Sequence, residues 1–332
     1  MIKIGQIGLN YGYKVHIPAF LDDSRFKLVG VCSNNLKKCN EIKDKLNLDH
    51  ATNDPEELFS LVDAVSLAIP PKEQAIVLPK AIERGLHVFF EKPLGYLPKD
   101  HISIKEDQAL MIDFEFMEVD VWKELQEIIL KNKIGTVLHA EVTWNIETYA
   151  ILNDIKSWKT NSNLSGGVLN NFAPHCLHYI EALMGRISNI YLKAMNYDSD
   201  GEQVIYLYLK FASGASSSIN ISSNTFRGSG HSLEITGTEG TAVLKNNKES
   251  TISNFILEVF YRSGKDYRKE SAIRDINNID DRVHAVRSLV KKFGDWIETG
   301  IPTSPNIQDA VRVEALLKEC FRSISLNKEI KL

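Results

Sequence analysis

Cysteine is scarce in this 332-residue chain: Cys32, Cys39, Cys176 and Cys320 lie far apart and form no Cys-x-x-Cys pair. That spacing points away from a disulfide framework or a thiolate zinc site and toward reduced intracellular thiols, and no metal is expected. No run of 18 apolar residues occurs, and no basic leader precedes an apolar core. Neither a membrane span nor a secretory signal is expected, and a cytoplasmic protein is. An excess of one charge is missing too: 39 Lys and Arg stand against 43 Asp and Glu, a net charge of −4, with no basic stripe interleaved with aromatics. Nucleic acid is therefore a poor candidate partner. Internal repeats and low-complexity segments are also lacking. At 25% charged and 43% hydrophobic residues, the composition is that of a soluble globular protein. The length exceeds one compact core and fits two domains.

What is present begins with Ile2 to Leu9, alternating into a glycine-bearing turn, and continues as an apolar-periodic stretch through Val15, Ile17, Ala19, Phe20 and Leu21. This reads as strand, tight turn and helix. Gly8 and Gly12 let the backbone approach a phosphate at a helix N-terminus, where unpaired N–H groups and the helix dipole favour an anion. The three positions of a Gly-x-Gly-x-x-Gly motif hold Gly8, Asn10 and Tyr13. Asn10 is expected to keep the turn because Asn tolerates positive φ, whereas Tyr13 cannot imitate the close packing of glycine. With Tyr11, these residues are the candidate phosphate turn.

A second strand, Phe26 to Cys32, ends in Ser33-Asn34-Asn35, where an acid for the ribose hydroxyls of NAD would stand. Ser33 and Asn34 are neutral, and Lys37 and Lys38 follow, which suits a 2′-phosphate better. NADP is therefore favoured over NAD, with solvated helix charge as the plainer account of the two lysines. Val62 to Ile69 is a near-continuous apolar strand stopped by Pro70-Pro71, and backbone at such a stop is expected beside the nicotinamide side of a dinucleotide. A helix from about Glu73 to Arg84, capped by Gly85, leads into His-Val-Phe-Phe-Glu-Lys-Pro-Leu-Gly at residues 87–95.

This stretch places Glu91 and Lys92 at the end of a buried strand. Pro93 cannot continue the ladder and fixes its own φ, so Lys92 is presented from a stiffened turn. Ligands of open α/β sheets gather at such strand ends; a solvated Glu-Lys pair is the bland alternative. The alternation of strands and helices predicts a parallel doubly wound sheet. Tyr96 to Asp107 has room for two helical turns at most. A strand over Ala109 to Phe116 is expected next, with Asp113 and Glu115 pointing outward, and then an amphipathic helix from Met117 to Lys131 with Val121, Trp122, Leu125, Ile128 and Ile129 on one face. The domain change is set at about residue 116, giving a dinucleotide-binding domain over 1–116 and a substrate-binding and oligomerisation domain over 117–332.

From Thr136 the period switches to two. Strands are predicted at Thr136–Trp144, Ile187–Met195, Gln203–Phe211, Ala215–Ser222, Ser232–Thr236, Thr241–Leu244 and Phe255–Tyr261. In Gln203–Phe211, Ile205, Leu207, Leu209 and Phe211 share one face while Tyr206, Tyr208 and Lys210 share the other. A large antiparallel sheet covered by helices on one side follows, its other side open to a partner subunit in a homo-oligomer. The last helix begins at Ser304-Pro305, with Ala310, Leu317, Cys320, Phe321 and Ile324 as its buried stripe. Between the first two of these strands, Gly166-Gly167 leads into a helix carrying Asn171, His175 and His178. A Gly-Gly turn can bring backbone close to a ligand, and Asn171 and His175, four apart, would share a helix face. A satisfied polar histidine at a helix surface is the alternative, and no third ligand for a metal is evident.

Taken together, Ile-Gly-Leu-Asn-Tyr-Gly-Tyr-Lys-Val-His-Ile-Pro-Ala-Phe at residues 7–20, Glu91-Lys92-Pro93-Leu94, the Gly166-Gly167 to His175 segment and Ile235-Thr236-Gly237-Thr238-Glu239-Gly240-Thr241 resemble the glucose-fructose oxidoreductase / inositol dehydrogenase / MocA (Gfo/Idh/MocA) family. The resemblance covers essentially the whole chain. It implies a Rossmann domain followed by an α/β domain with a large open sheet, and hydride transfer between a nicotinamide cofactor and a carbinol carbon of a sugar, cyclitol or related compound. Lys92 is similar to the family lysine that orients the substrate hydroxyl and the nicotinamide, and His175 to the histidine that takes or gives the hydroxyl proton. Asn171 stands where many members carry aspartate; an amide can orient substrate but cannot share the proton. Tyr149 and Trp158 complete the expected substrate contacts, and Ile69, Pro70, Pro71 and Glu91 the cofactor contacts. Two other readings share the fold: a nicotinamide-binding sensor without catalysis, and a lyase or glycoside hydrolase that oxidises, eliminates and re-reduces on one bound cofactor.

Overall fold

The computed structural model describes all residues except 96–103, 162–163, 197–200, 247–251 and 274–278. The stretch Tyr96 to Asp107, with room for two helical turns at most, falls largely outside the described residues. The chain forms two compact units, Met1–Glu115 with Ile276–Val311, and Phe116–Asp275 with Arg312–Leu332. The first unit thus takes in a returning segment that sequence reasoning left with the second domain.

Among the described residues, the first unit is built on six strands, β1 (Ile2–Ile7), β2 (Phe26–Cys32), β3 (His50–Thr52), β4 (Ala64–Leu67), β5 (His87–Phe90) and β6 (Leu110–Ile112), in the order β3-β2-β1-β4-β5-β6. Every neighbouring pair is parallel. This is the doubly wound order whose reversal point, between β1 and β4, opens a crevice at the carboxyl ends of the strands. The strands are apolar on both faces because helices cover both. Helix Arg282–Thr299, in the returning segment, buries Val283, Val286, Leu289, Val290 and Phe293 in this core. The Phe293 ring stacks on Phe26, centroids 6.0 Å apart, and meets the edges of Phe20 and Phe89. Arg25, ahead of β2, reaches Asp295 at 2.6 Å and the Lys291 carbonyl at 2.9 Å. A side chain at Gly294 would collide with that guanidinium, its Cβ 2.5 Å from the central carbon.

Two expectations change at β6. The strand is Leu110–Ile112 rather than the whole of 109–116, and a 3-10 turn, Glu115–Glu118, follows it. Asp113 and Glu115 do not point outward: they are 1% and 4% exposed. Alternation is a guide to facing only within a strand, and this strand has already ended.

Among the described residues, the second unit carries nine strands: β7 (Val137–Asn145), β8 (Ile187–Met195), β9 (Val204–Phe211), β10 (Ser216–Ser222), β11 (Gly230–Gly237), β12 (Gly240–Asn246), β13 (Ile256–Tyr261), β14 (Tyr267–Glu270) and β15 (Ile330–Lys331). Their order is β14-β13-β12-β11-β7-β10-β9-β8-β15, antiparallel except for the parallel pair β7 and β10. Ile205, Leu207, Leu209 and Phe211 are buried while Tyr206, Tyr208 and Lys210 are exposed, the facing predicted for that strand. The covered side packs on helices Asp120–Leu130 and Ala173–Met184. In helix Ile307–Leu326 the buried stripe includes Ala310, Leu317 and Cys320 as expected, but Phe321 faces out, and Ser323 closes the stripe by accepting from the Leu192 amide at 3.0 Å.

Candidate active site

The turn after β1 is shaped by Gly8, whose φ is +89° and whose Cβ would lie 2.2 Å from the Ala68 carbonyl oxygen. Only glycine fits there. Asn10 is absent from the positive-φ residues, so it does not replace a motif glycine by its backbone. Its side chain acts instead, Oδ1 accepting from Lys38 Nζ at 2.9 Å. The close-packing glycine is Gly12, where a Cβ would sit 2.2 Å from Gln6 Nε2. Gln6, buried, donates to the Ile7 and Gly8 carbonyls at 3.0 and 3.1 Å and braces the turn from inside. The following turn, Gly12–His16, is a π-helix that passes into helix Ile17–Leu21. Tyr13 points away from this close packing, its hydroxyl accepting from Lys45 Nζ at 2.7 Å.

At the end of β2, Ser33 bonds within the strand-helix junction and Asn35 caps helix Leu36–Leu46 by accepting from the Lys38 amide at 3.0 Å, which leaves Asn34 exposed at the strand end. Lys37 is a solvated charge, 89% exposed and 4.0 Å from Glu41. Pro70 caps helix Pro71–Glu83, and Ile69 and Pro70 stay partly exposed beyond β4. A glycine-only turn with amides at a helix start, a polar β2 end without an acid, and a proline stop after β4 suit a dinucleotide running from β2 across β1 to β4.

Lys92 follows β5 in a turn with a cis Lys92–Pro93 peptide. Gln74, from helix Pro71–Glu83, donates to the Glu91 and Pro93 carbonyls at 2.6 and 3.0 Å and holds the turn on both sides of the lysine. Around it lies a buried cluster that sequence reasoning did not assemble. His16 Nε2 is 3.2 Å from Glu91 Oε1 and 3.2 Å from Asp113 Oδ2, and its Nδ1 is 2.8 Å from Ser66 Oγ. The Tyr11 hydroxyl donates to Asp113 Oδ2 at 3.4 Å. Arg282, forked onto Asp280 at 2.6 and 2.8 Å, lies over the Tyr11 ring 4.7 Å from its centroid.

Burial opposes charge on His16, but the bonds to Asp113 and Glu91 outweigh it and push the imidazole up to about 9. Burial and the neighbouring Glu91 raise Asp113 to about 7. Glu115 is raised well above its ordinary value by burial and by Asp113. Lys92 is lowered by burial, against the pull of Glu91, Glu115 and Asp113. His16 Nε2, 3.2 Å from each of the two carboxylates, has the geometry of an imidazolium held between Glu91 and Asp113. The signal for His16 was its place on the helix after the glycine turn, and for Asp113 its place just beyond a strand end.

The second unit holds the other candidates. Gly167 has φ +98° and its Cβ would meet the Glu202 carboxylate at 2.4 Å, while a Cβ on Gly166 would meet the Trp158 carbonyl at 2.4 Å. The expected single helix is two, Val168–Asn171 and Ala173–Met184, broken at Phe172, with Pro174 unable to donate to a preceding turn. Asn171 and His175 therefore do not share one helix face. Asn171 Nδ2 donates to the Gly167 and Lys159 carbonyls at 2.7 and 3.1 Å and ties the Trp158 loop to the Gly-Gly turn. His175 is 6% exposed, edge-on to Phe116 with centroids 5.1 Å apart and tilted against Trp144 at 6.1 Å. Trp158 is half-buried beneath Lys159, whose Nζ lies 5.7 Å from the indole, and Tyr149 is 74% exposed.

Residues 2–111 match the profile of an oxidoreductase family with an NAD-binding Rossmann fold, and residues 122–243 that of the GFO/IDH/MocA C-terminal domain. An uncharacterised oxidoreductase of Synechocystis sp. is 27% identical over 268 residues, 73% of this chain and 71% of its own length. A myo-inositol 2-dehydrogenase of Thermotoga maritima is 24% identical over 268 residues, 76% of this chain and 77% of its own. Levoglucosan dehydrogenase in complex with NADH shares the fold at a TM-score of 0.86 and 18% identity, over 99% of this chain and 98% of that one. With both parts of the chain matched, the protein belongs to the GFO/IDH/MocA family of NAD-binding oxidoreductases.

Proposed function

We propose that the protein is an NAD(P)-dependent dehydrogenase or reductase acting on a CH–OH carbon of a sugar, cyclitol or sugar derivative. The observation that carries this reading is Lys92, held in a turn braced on both sides by Gln74 at the carboxyl end of β5, in a sheet of dinucleotide-binding order. Relatives that are named myo-inositol and levoglucosan dehydrogenases support the substrate class.

The nicotinamide, when bound, accepts or supplies the hydride. Gly8, Gly12 and the amides around Asn10, Tyr11 and Tyr13 receive its phosphates, and Ile69, Pro70, Pro71 and Glu91 line its nicotinamide side. Ser33, Asn34 and Lys38 meet the adenosine ribose. Lys38, drawn to the glycine turn by Asn10, favours the 2′-phosphate of NADP. Lys92 orients the reacting hydroxyl and His175 takes or gives its proton, with Asn171, Trp158 and Tyr149 lining the substrate. The outer face of the second sheet, with a recess of about 420 Å³ bordered by His139, Tyr191, Tyr208 and Lys210, is assigned to a second copy of the chain.

Absorbance at the reduced-nicotinamide band, followed after mixing the protein and either cofactor with a panel of sugars and cyclitols, tests this reading. A net change is expected. Product without net change would instead mark an internal redox cycle, and neither would mark a sensor.

A further inference from the structure

Four elements of the first unit bring polar or titratable groups to one buried point behind Lys92. His16 comes from the π-turn after the glycine turn, Ser66 from β4, Glu91 from the end of β5 and Asp113 from beyond β6. With both ring nitrogens protonated, Nδ1–H donates to Ser66 Oγ at 2.8 Å and Nε2–H is shared by Glu91 Oε1 and Asp113 Oδ2, each at 3.2 Å. His16 is fully buried and its ring is fixed by the edge of Phe89, centroids 5.0 Å apart. Tyr11 adds a donor to Asp113, and Arg282 with its partner Asp280 closes the Tyr11 side. Glu115 and Lys92 are further charged groups that act on this point.

We propose that His16 is a positioning residue of the reaction: its imidazolium binds Glu91 and Asp113 as one unit, fixes the turn that presents Lys92, and sets the charge that Lys92 meets. This rests on the reading of Lys92 as a catalytic residue. Two carboxylates on one imidazolium cannot both keep full charge in a buried site, so the unit exchanges protons across the neutral and alkaline range. Removing His16 takes away positive charge and leaves the unit more negative, which favours the ammonium form of Lys92. Removing the Asp113 charge does the opposite. A purely structural role for His16 would not give shifts of opposite sign.

The test is competitive labelling of Lys92 with trace acetic anhydride across pH, read by mass spectrometry, in the parent, His16→Gln and Asp113→Asn. Gln can still donate to a carboxylate and accept from Ser66, so His16→Gln keeps the hydrogen bonds without the charge. The labelling midpoint of Lys92 should rise by about half a pH unit or more in His16→Gln and fall in Asp113→Asn, with NADP affinity, measured by fluorescence, within about threefold of the parent. The alkaline or acid limb of turnover should move with the midpoint. Unmoved midpoints in both variants, or movement in the same direction, overturn the proposal. Should His16→Gln fail to fold, His16→Asn, which also removes the charge and keeps a side-chain amide, takes its place and is read in the same way. Lys92→Ala that retains turnover would instead sink the catalytic reading of Lys92, an outcome the labelling midpoints cannot produce.

Discussion

Trp144 and His231 stack face to face, their ring centroids 4.2 Å apart and their planes 3° from parallel. His231 Nε2 is 3.0 Å from the Tyr179 hydroxyl, inside an aromatic group that includes Phe116, Trp122 and Phe255. Phe116 and Trp144 are also the rings against which His175 rests. The floor under the proposed proton-transfer residue is thus built around a second histidine that must stay neutral.

Burial pushes His231 down to about 3. A histidine depressed in the folded state contributes stability that is present above its unfolded value near 6.5 and is lost as pH falls toward 3. The second unit should therefore lose stability over that window. Denaturant melts followed by tryptophan fluorescence report mainly on this unit, which holds Trp122, Trp144 and Trp158. The acid-side loss should be smaller in His231→Gln than in the parent; an equal loss would place the sensitivity in the carboxylates.

Asn171→Asp should harm the protein. Its amide donates to two backbone carbonyls, and a carboxylate there would face both oxygens with no proton to give. A loss of about 1–3 kcal/mol in stability and a slower enzyme are expected. Equal stability with faster turnover at neutral pH would show that Asn171 stands in for an acid/base partner and not for a loop tie.

Cofactor choice should follow the end of β2. NADP is expected to bind more tightly than NAD, and Asn34→Asp to reverse the order by setting a carboxylate against the 2′-phosphate, a change of roughly tenfold or more. Lys38→Ala should weaken NADP more than NAD. Fluorescence titration of both cofactors decides this; tighter binding of NAD by the parent contradicts it.

The sequence made the architecture legible because strands of the first unit are apolar on both faces and those of the second alternate, and each pattern specifies its own layer structure. The glycine turn and the Glu91-Lys92-Pro93 stop were legible for a related reason: glycine and proline restrict the backbone locally. The buried cluster was not, since His16, Glu91 and Asp113 are 75 and 97 positions apart in the relevant pairs and meet only after the sheet has formed. The alternation expected of Asp113 and Glu115 fails because nothing local marks where β6 ends. The break at Phe172 has a local signal in Pro174, which cannot donate to the preceding turn. The return of residues 276–311 to the first unit depends on Phe293 and Arg25 finding partners far away in sequence, which periodicity does not record.

The central proposal is that Lys92 and His175 serve one substrate hydroxyl, and a double-mutant cycle on turnover tests it most directly. With saturating substrate and cofactor binding verified by fluorescence, Lys92→Ala and His175→Ala should each lower turnover on the order of 10² or more, and the double variant should lose much less than the product of the two. Turnover within about threefold of the parent in His175→Ala, or losses that multiply in the double variant, would contradict it.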